Sequence, residues 1–340
     1  MLLFLNSMMR TKILFVILFF FQTAHSQFRP HYTQYILNNY IVNPALTGID
    51  NYIDAKMSMR NQWLGVDGAP KTFYATVHGA LGKGDYRQNA TSFDMIGQNT
   101  RGNEFLPSYT TASPHHGIGF TALNYRTGYI NRVTSYATYA YHIGLNETTS
   151  LAAGFGLGIT SFSIDRSKVT LATSSDPSVD ETIATFKKIK PEMNAGLWLY
   201  SNKYFVGLSA QQIIPSKLSL IDDAENKSTL VPHLFATAGY RARVSYDLSL
   251  IPSVMVRYIS NLPIGVDVNL KAQFQDLFWI GGGYRNQDGF AAMFGLNFAQ
   301  KIHISYAYDL NKGQYLLSTM NRGTHEIVVG FLLRNKHASL

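Results

Sequence analysis

Apolar and polar residues alternate along most of the chain, in segments of about ten residues. Residues 266 to 275 show the pattern clearly, since one parity holds only apolar side chains and the other only polar ones. A period of two is typical of a β-strand that separates an apolar surface from a polar one. The alternation predicts fourteen strands, near residues 52–62, 72–81, 117–126, 130–143, 150–164, 191–200, 204–213, 233–242, 248–258, 264–275, 277–285, 290–299, 302–310 and 324–334.

The number and length of these strands favour a closed barrel. Tilted strands of about ten residues form an apolar band about 25 Å tall, and barrels that cross outer membranes have an even number of antiparallel strands. No stretch shows sustained helical periodicity, which excludes a mixed α/β enzyme. We therefore predict an all-β fold, namely a 14-stranded antiparallel transmembrane outer-membrane β-barrel.

The predicted connections alternate in length, as expected for such a barrel with short periplasmic turns and longer outer loops. The odd-numbered connections include the long ones and the even-numbered connections are short, with one exception at residues 82–116. This 35-residue second connection either projects into the periplasm, folds back into the lumen, or indicates a miscounted strand pair.

The N-terminus has the pattern of an export signal. Arg10 and Lys12 precede nine apolar residues, Ile13 to Phe21, and a small-x-small site follows at Ala24 to Ser26. A membrane anchor would need roughly 20 apolar residues. We therefore expect a signal peptide at residues 1–26 and, at residues 27–51, a periplasmic N-terminal segment packed on or in the barrel. The transmembrane barrel should then span residues 52–334, followed by a C-terminal tail at residues 335–340.

Composition supports export and a membrane barrel. The chain has no cysteine, which excludes disulfides, thiolate sites and a lipid-modified N-terminal cysteine. Charged residues make up only 15% of the chain, whereas Tyr and Phe number 21 each, although a large secreted β-sandwich could share this composition. Removing Arg10 and Lys12 leaves 27 basic residues against 21 acidic ones, and their scattered positions disfavour nucleic-acid binding.

We find no pattern that indicates an enzyme, a metal or a cofactor. The adjacent pair His115 and His116 would point apart on a strand, and no histidine has a metal-ligand spacing. Residues 60–72 are not a phosphate loop, because Pro70 replaces the second glycine and a strand pattern follows. The glycines at 154, 156 and 158 occupy one face of a predicted strand, where they leave room inside a closed sheet.

Several aromatic residues fall near the ends of predicted strands, where interfacial rings are favoured. We expect them to form an aromatic belt, with sandwich packing as the alternative; they are Tyr125, Tyr129, Trp198, Tyr200, Trp279, Tyr306 and Tyr308.

Two motifs stand out in the sequence, "QYILNNYIVNPALTG" at 34–48 and "RNQWLGVDGAPKT" at 60–72, and "THEIVVGF" closes the barrel pattern. Together they resemble the PorP/SprF family of type IX secretion system membrane proteins. The positions that match, and that we expect to include partner-binding residues, are Gln34, Tyr35, Asn43, Pro44, Ala45, Gly48, Arg60, Gln62, Trp63, Gly65, Gly68, Pro70, Thr72, His325 and Glu326. By its parity Arg60 should face the lumen, where an ion pair with the wall is its simplest role.

The resemblance implies a non-enzymatic barrel that docks or anchors secreted cargo. The implied partners are cargo proteins with a C-terminal secretion domain, such as surface or gliding adhesins, other periplasmic and outer-membrane components of type IX secretion, and membrane lipid. The alternative is a general outer-membrane channel for small solutes. The long second connection and the tail "NKHASL" depart from the family pattern.

Overall fold

A computed structural model of the chain describes residues 35–83, 89–92, 111–165, 187–218, 228–245, 247–260, 262–275, 277–286, 288–298, 301–311 and 323–334. Strands predominate, and the helical structure within these ranges consists of two short 3-10 turns, η1 (Asn39–Ile41) and η2 (Pro44–Leu46). No helix in the described part of the chain is long and apolar enough to cross a bilayer. The expected signal peptide and C-terminal tail lie outside the described residues.

Fourteen strands form one closed antiparallel barrel, as predicted. They are β1 (Ile53–Asn61), β2 (Lys71–Leu81), β3 (His115–Thr127), β4 (Ile130–Gly144), β5 (Ser150–Ile164), β6 (Lys187–Tyr200), β7 (Tyr204–Gln211), β10 (His233–Tyr240), β12 (Leu248–Ile259), β13 (Gly265–Phe274), β14 (Phe278–Arg285), β15 (Gly289–Phe298), β16 (Ile302–Asn311) and β17 (Thr324–Leu333). The remaining numbers belong to three shorter strands, β8 (Ser216–Leu218), β9 (Ser228–Leu230) and β11 (Ala242–Arg243). The first and last strands pair along their length, and β10 pairs with β12, so the sheet has no open edge.

The two faces of the barrel follow the alternation of the sequence. Leu270 is 50% exposed on the outer face, whereas its neighbour Lys271 is 4% exposed on the inner face. On β1, Met57 and Met59 point outward, and Asp54, Lys56, Ser58 and Arg60 are buried inside. The predicted lipid-facing and lumen-facing parities are therefore confirmed on these strands.

Two strands contain a proline, and each proline lies where the strand has a neighbour on one side only. Strand β6 begins at Lys187, four residues before the predicted start, and contains Pro191. Only β5 pairs with that part of β6, because β7 joins it from Ala195 onward. On one side of β12, β10 pairs with the residues from Ser253 onward, and the two-residue β11 (Ala242–Arg243) pairs with Ser249 and Leu250. Pro252 lies between these two stretches. Proline has no N–H to donate, so both sit where one neighbouring strand is missing.

The connections divide between two ends of the barrel. One end carries most of the long ones, including residues 165–186, 212–232 and 312–323, and we assign it to the cell exterior. The second of these contains a small hairpin, β8 (Ser216–Leu218) with β9 (Ser228–Leu230), that the alternation did not predict. The other end carries short turns such as 145–149 and 201–203, and is the periplasmic end.

The long second connection, residues 82–114, also lies at the periplasmic end. The strand count is correct, so the connection does not hide a missed strand pair. Its described parts fold back against the barrel: the Ala90 N–H donates to the carbonyl of Ser201 (2.9 Å), and the Thr111 hydroxyl contacts the Ser150 hydroxyl (3.0 Å). Ala90 and Ala112 are both buried.

The expected aromatic belt is wrong for four of its seven members. Tyr125, Trp198, Tyr200 and Trp279 are almost fully buried and face the lumen, because each shares the inward parity of its strand. Position near a strand end gives the height of a ring in the membrane, but only parity gives the face.

Candidate functional site in the barrel lumen

Residues 35–51, hereafter the luminal segment, lie inside the barrel and contact both sides of its wall. Tyr35, Ile41 and Val42 pack against inward-facing residues of β2, β3, β10 and β12, namely Tyr74, Leu123, Phe235 and Met255. Ile36 and Leu37 pack against the opposite wall, on Trp279, Met293 and Ala307 of β14 to β16. Burial of each large apolar side chain contributes roughly 1.5 to 3 kcal/mol, so these contacts hold the segment in the lumen.

Polar contacts fix the register of the luminal segment. The side-chain amide of Asn43 donates to the carbonyl oxygens of Leu197 (3.0 Å) and Leu208 (3.2 Å), and its oxygen accepts from the Ala45 N–H (2.9 Å). Gln211 donates from Nε2 to the carbonyl of Val42 (2.8 Å). The motif Asn43-Pro44-Ala45 thus caps η2, with proline at the first turn position where no N–H is needed, while bonding to the wall.

Two tyrosines of the segment bond to opposite walls through their hydroxyls. Tyr40 lies 2.7 Å from the hydroxyl of Thr138, and Tyr35 accepts from the amide of Asn269 at 2.6 Å. Burial raises the pKa of both phenols above the ordinary value, so both remain neutral at physiological pH.

Glycines on the wall make room for the segment. A Cβ atom added at Gly196 would lie 2.0 Å from the Asn43 side-chain oxygen, and one at Gly154 would lie 2.6 Å from the Pro44 carbonyl oxygen. Because real Cβ atoms do not approach so closely, any side chain at these positions must displace the segment or the strand. The predicted small-residue face of β5 therefore has a specific reason at Gly154.

Three histidines hold the turn by which the segment leaves the lumen. Gly48 has a positive φ of 75°, which favours glycine, and its N–H donates to Nδ1 of His78 at 3.2 Å. His115 and His142 donate from Nε2 to the carbonyl oxygens of Gly48 (3.1 Å) and Thr47 (2.9 Å). The two rings stack with centroids 4.4 Å apart. This arrangement fixes the path from the luminal segment into β1.

Two small gaps lie between the luminal segment and the described part of the barrel wall. The two gaps beside it that are lined by described residues measure 40 Å³ and 10 Å³, with room for only a few water molecules. The larger gap contains Asp54, Lys56 and His78, and Asp54 bonds to the Lys56 ammonium. The luminal segment therefore occupies the lumen at its own level, and these two gaps between it and the described part of the wall are small.

A network of buried charges lines the lumen beside this segment. Arg60 contacts Glu326 at 3.2 Å and Asp309 at 3.0 Å, and Arg285 contacts Asp309 at 3.1 Å. Arg60 and Glu326 are direct register partners across β1 and β17. The ion pair expected for Arg60 is therefore present, and it joins the first and last strands of the barrel.

The connection between β1 and β2, residues 62–70, is fixed at the extracellular end. The Trp63 N–H donates to the hydroxyl of Thr324, the first residue of β17, at 3.2 Å. The Gly128 N–H, in the turn between β3 and β4, donates to the Gly68 carbonyl at 2.8 Å. The connection is therefore tied to neighbours on both sides.

Its internal geometry depends on glycine and proline. Gly65 and Gly68 have positive φ values of 99° and 68°, which glycine adopts without strain. The Gln62 N–H donates to the carbonyl of the buried Pro70 at 2.9 Å. Leu64 remains 42% exposed at the tip. The segment is thus a rigid outer turn that presents an apolar side chain, and β2 follows it directly in place of the helix that a phosphate loop requires.

The family-signature residues form two groups and not a single site. Eight lie in the lumen, namely Tyr35, Asn43, Pro44, Ala45, Gly48, Arg60, Thr72 and Glu326, and five lie in the outer turn, namely Gln62, Trp63, Gly65, Gly68 and Pro70. His325 sits on the outer face, 2.6 Å from the Tyr306 hydroxyl. Gln34 lies outside the described residues. A role for any of them in partner binding stays a prediction.

Sequence reasoning did not find several residues of the lumen. His78 and His142 could have been identified because both share the inward parity of their strands, but their common target at residues 47 and 48 depends on the path of the luminal segment. His115 and His116 do point apart, as predicted: the second faces outward, 2.7 Å from the Tyr139 hydroxyl. Among the described residues, no group of three or more histidines and carboxylates is placed to hold a metal.

Solved outer-membrane proteins share the overall barrel shape. The toluene transporter TbuX of Ralstonia pickettii is 10% identical, with a TM-score of 0.49, over 86% of this chain and 92% of that one. The toluene transporter TodX of Pseudomonas putida is 9% identical, with a TM-score of 0.48, over 89% of this chain and 94% of that one. The outer membrane protein Omp33 of Acinetobacter baumannii is 6% identical, with a TM-score of 0.45, over 83% of this chain and 99% of that one. Similarities this distant do not bear on what the present barrel binds or transports.

No curated protein sequence matches the chain. The family described as "Type IX secretion system membrane protein PorP/SprF", in contrast, matches residues 24–331. Neither this family nor the barrel fold is an enzyme class. Because the match covers most of the chain and includes both motifs and all of the barrel except the last two residues of β17, the protein belongs to the PorP/SprF family and is an outer-membrane barrel of type IX secretion.

Proposed function

We propose that this barrel docks or anchors secreted cargo at the outer membrane, and that it cooperates with periplasmic and other outer-membrane components of type IX secretion. The cargo would be proteins with a C-terminal secretion domain, including surface or gliding adhesins. The observation that carries the proposal is the luminal segment, which contacts both walls and borders gaps of only 40 Å³ and 10 Å³ among the described residues. A barrel whose lumen is occupied by its own chain would act through its surfaces.

The outer turn at residues 62–70 is our candidate for the cargo contact. It is tied to β17 and to the turn between β3 and β4, so binding to it would cost little conformational entropy. It also presents the exposed Leu64 beside the partly buried Trp63. Rigid apolar and aromatic anchors of this kind dominate the energetics of protein interfaces.

The test is affinity purification of the tagged barrel from native membranes, with identification of the proteins that copurify. We expect a secreted protein that retains its C-terminal secretion domain. Replacement of the anchor by Trp63→Ala with Leu64→Ser should reduce that recovery by about tenfold, the effect of losing one interface hot spot. Leu145→Ser is the matched control, because Leu145 is exposed in a periplasmic turn.

Two outcomes would contradict the proposal. In the first, no cargo protein copurifies with a barrel that is shown to be folded by its heat-dependent gel mobility. In the second, the outer-turn variant and the Leu145 control retain cargo equally, which would refute the outer turn as the contact. Steady conductance of small solutes without any cargo would instead favour the channel function.

A further inference from the structure

A row of polar side chains crosses the outer face of the barrel at its extracellular end. Asn61 is the register partner of Lys71, Lys71 of Arg126, and Arg126 of Asn131. These four residues, hereafter the rim site, belong to β1, β2, β3 and β4. Adjacent strands lie about 4.8 Å apart, so the four side chains form one continuous row.

The rim site borders a concave surface and not a flat wall. A cavity of 400 Å³ is lined by all four residues and, one step toward the membrane centre, by Met59, Phe73 and Asn124. Met59 is 56% exposed and Phe73 49% exposed, and both lie on the outward parity. The cavity therefore has a polar side toward the cell exterior and, toward the bilayer, two large apolar side chains beside one asparagine.

The charge of the rim site is positive. Arg126 forms an ion pair with Asp165, which also lines the cavity, whereas no ion pair is found for Lys71 among the described residues. The two cations and one carboxylate leave one net positive charge, and the amides of Asn61 and Asn131 can donate further hydrogen bonds. Such a donor set suits an anion.

The outer face on the opposite wall is different at the same end. Its residues near the extracellular ends of β12, β14, β15 and β16 are aromatic or apolar, namely Tyr258, Tyr284, Phe290 and Leu310. Such residues are ordinary at a membrane interface. Outward-facing cations above apolar side chains thus occur on the wall from β2 to β6, where Lys187 of β6 also lies above the exposed Ile189, and not at these positions of the opposite wall.

We propose that the rim site binds the phosphate group of a phosphorylated lipid in the outer leaflet of the outer membrane. Lys71 and Arg126 would contact the phosphate, the two asparagine amides would donate to its remaining oxygens, and the acyl chains would lie along Met59 and Phe73. Charge-assisted hydrogen bonds from lysine and arginine are the strong contacts that proteins make to phosphate. This site does not depend on the proposed cargo docking.

The test measures lipid binding to the purified barrel in detergent by native mass spectrometry. The probes are a phosphorylated lipid A, the same lipid without its phosphates, and inorganic phosphate as a competitor. We expect Lys71→Gln with Arg126→Gln to weaken binding of the phosphorylated lipid by about tenfold or more, as for the loss of charge-assisted hydrogen bonds. Lys203→Gln with Lys301→Gln, in two periplasmic turns, is the matched control and should leave the affinity unchanged.

The remaining measurements distinguish binding of the lipid phosphate from binding of the acyl chains alone and from binding of free phosphate. The dephosphorylated lipid should bind the wild-type barrel and the rim-site variant equally weakly, and inorganic phosphate should not compete, because it lacks acyl chains. The variant Lys71→Arg should retain the wild-type affinity. If the double variant does not fold, Asn131→Asp replaces it and should weaken binding several-fold through charge repulsion.

The proposal is overturned if the folded rim-site variant binds the phosphorylated lipid as tightly as the control does. Equal binding of the phosphorylated and dephosphorylated lipids to the wild type would also overturn it. Effective competition by inorganic phosphate would refute the assignment to a lipid.

Discussion

At the scale of single residues, a network of buried charges joins the first and last strands of the barrel, β1 and β17. Arg60 contacts the carboxylates of Glu326 and Asp309, and Asp309 also contacts Arg285. All four side chains are nearly inaccessible to solvent. The gain from a buried ion pair over apolar residues is often small, but removal of one partner leaves an uncompensated buried charge.

We therefore predict that Arg60→Met destabilises the folded barrel by about 3 to 5 kcal/mol. The measurement is the urea dependence of the heat-modifiable gel band of the purified protein. Lys301→Met, at an exposed periplasmic position, should leave the midpoint unchanged. A midpoint for Arg60→Met equal to that of the control would mean that the network does not stabilise the seam.

Parity made the direction of Arg60 predictable, but not the identity of its partners. Residues on the polar face of a strand must point inward in a closed barrel, so an ion pair with the wall could be expected. Glu326 is 266 positions away, and becomes the register partner only because β1 closes against β17. Sequence alternation does not contain that register.

At the scale of elements, the strands were predictable because lipid outside and a polar lumen inside impose a period of two. The departures are shifts of strand ends, such as the start of β6 at Lys187 and the end of β10 at Tyr240, which alternation alone does not define. The expected division at residue 52 between an N-terminal segment and the barrel is not tested independently and stays a prediction. The apolar content of residues 35–51 fits their place in the lumen, but their contacts with both walls depend on the complete barrel.

The fit of the luminal segment leads to a prediction about Gly196. Gly196→Ala would place a Cβ atom 2.0 Å from the Asn43 side-chain oxygen, so the segment should loosen from the wall. Limited proteolysis of the detergent-solubilised barrel should then cleave after Tyr40 or Leu46 at least about tenfold faster than in the wild type, because cleavage follows the population of the open form. Gly282→Ala is the control, since the nearest atom to its added Cβ is 3.9 Å away.

Cleavage of the wild type as rapid as that of Gly196→Ala would contradict a docked segment. Slow cleavage of both proteins would show that the wall tolerates the extra methyl group and that the packing at Asn43 is looser than the structure indicates.

At the scale of the whole molecule, the barrel has a largely apolar outer face and an interior that holds the luminal segment. Family membership was predictable from two motifs and a closing strand, and the match to residues 24–331 confirms it. The expectation that signature residues bind partners is not tested, and eight of them have structural roles in the lumen that are sufficient to explain their chemistry. Their sequence spacing could not reveal this division, since it depends on which residues the closed barrel encloses.

A lumen closed by the luminal segment is expected of a docking barrel and not of a solute channel, and the conductance of the purified protein in a planar lipid bilayer tests this expectation most directly. We predict no steady conductance for the wild type. Asn43→Ala with Gln211→Ala removes hydrogen bonds that anchor the luminal segment, and should produce brief openings. A steady open-channel conductance of the wild-type barrel, measured on protein whose heat-dependent gel mobility shows that it is folded, would contradict the account.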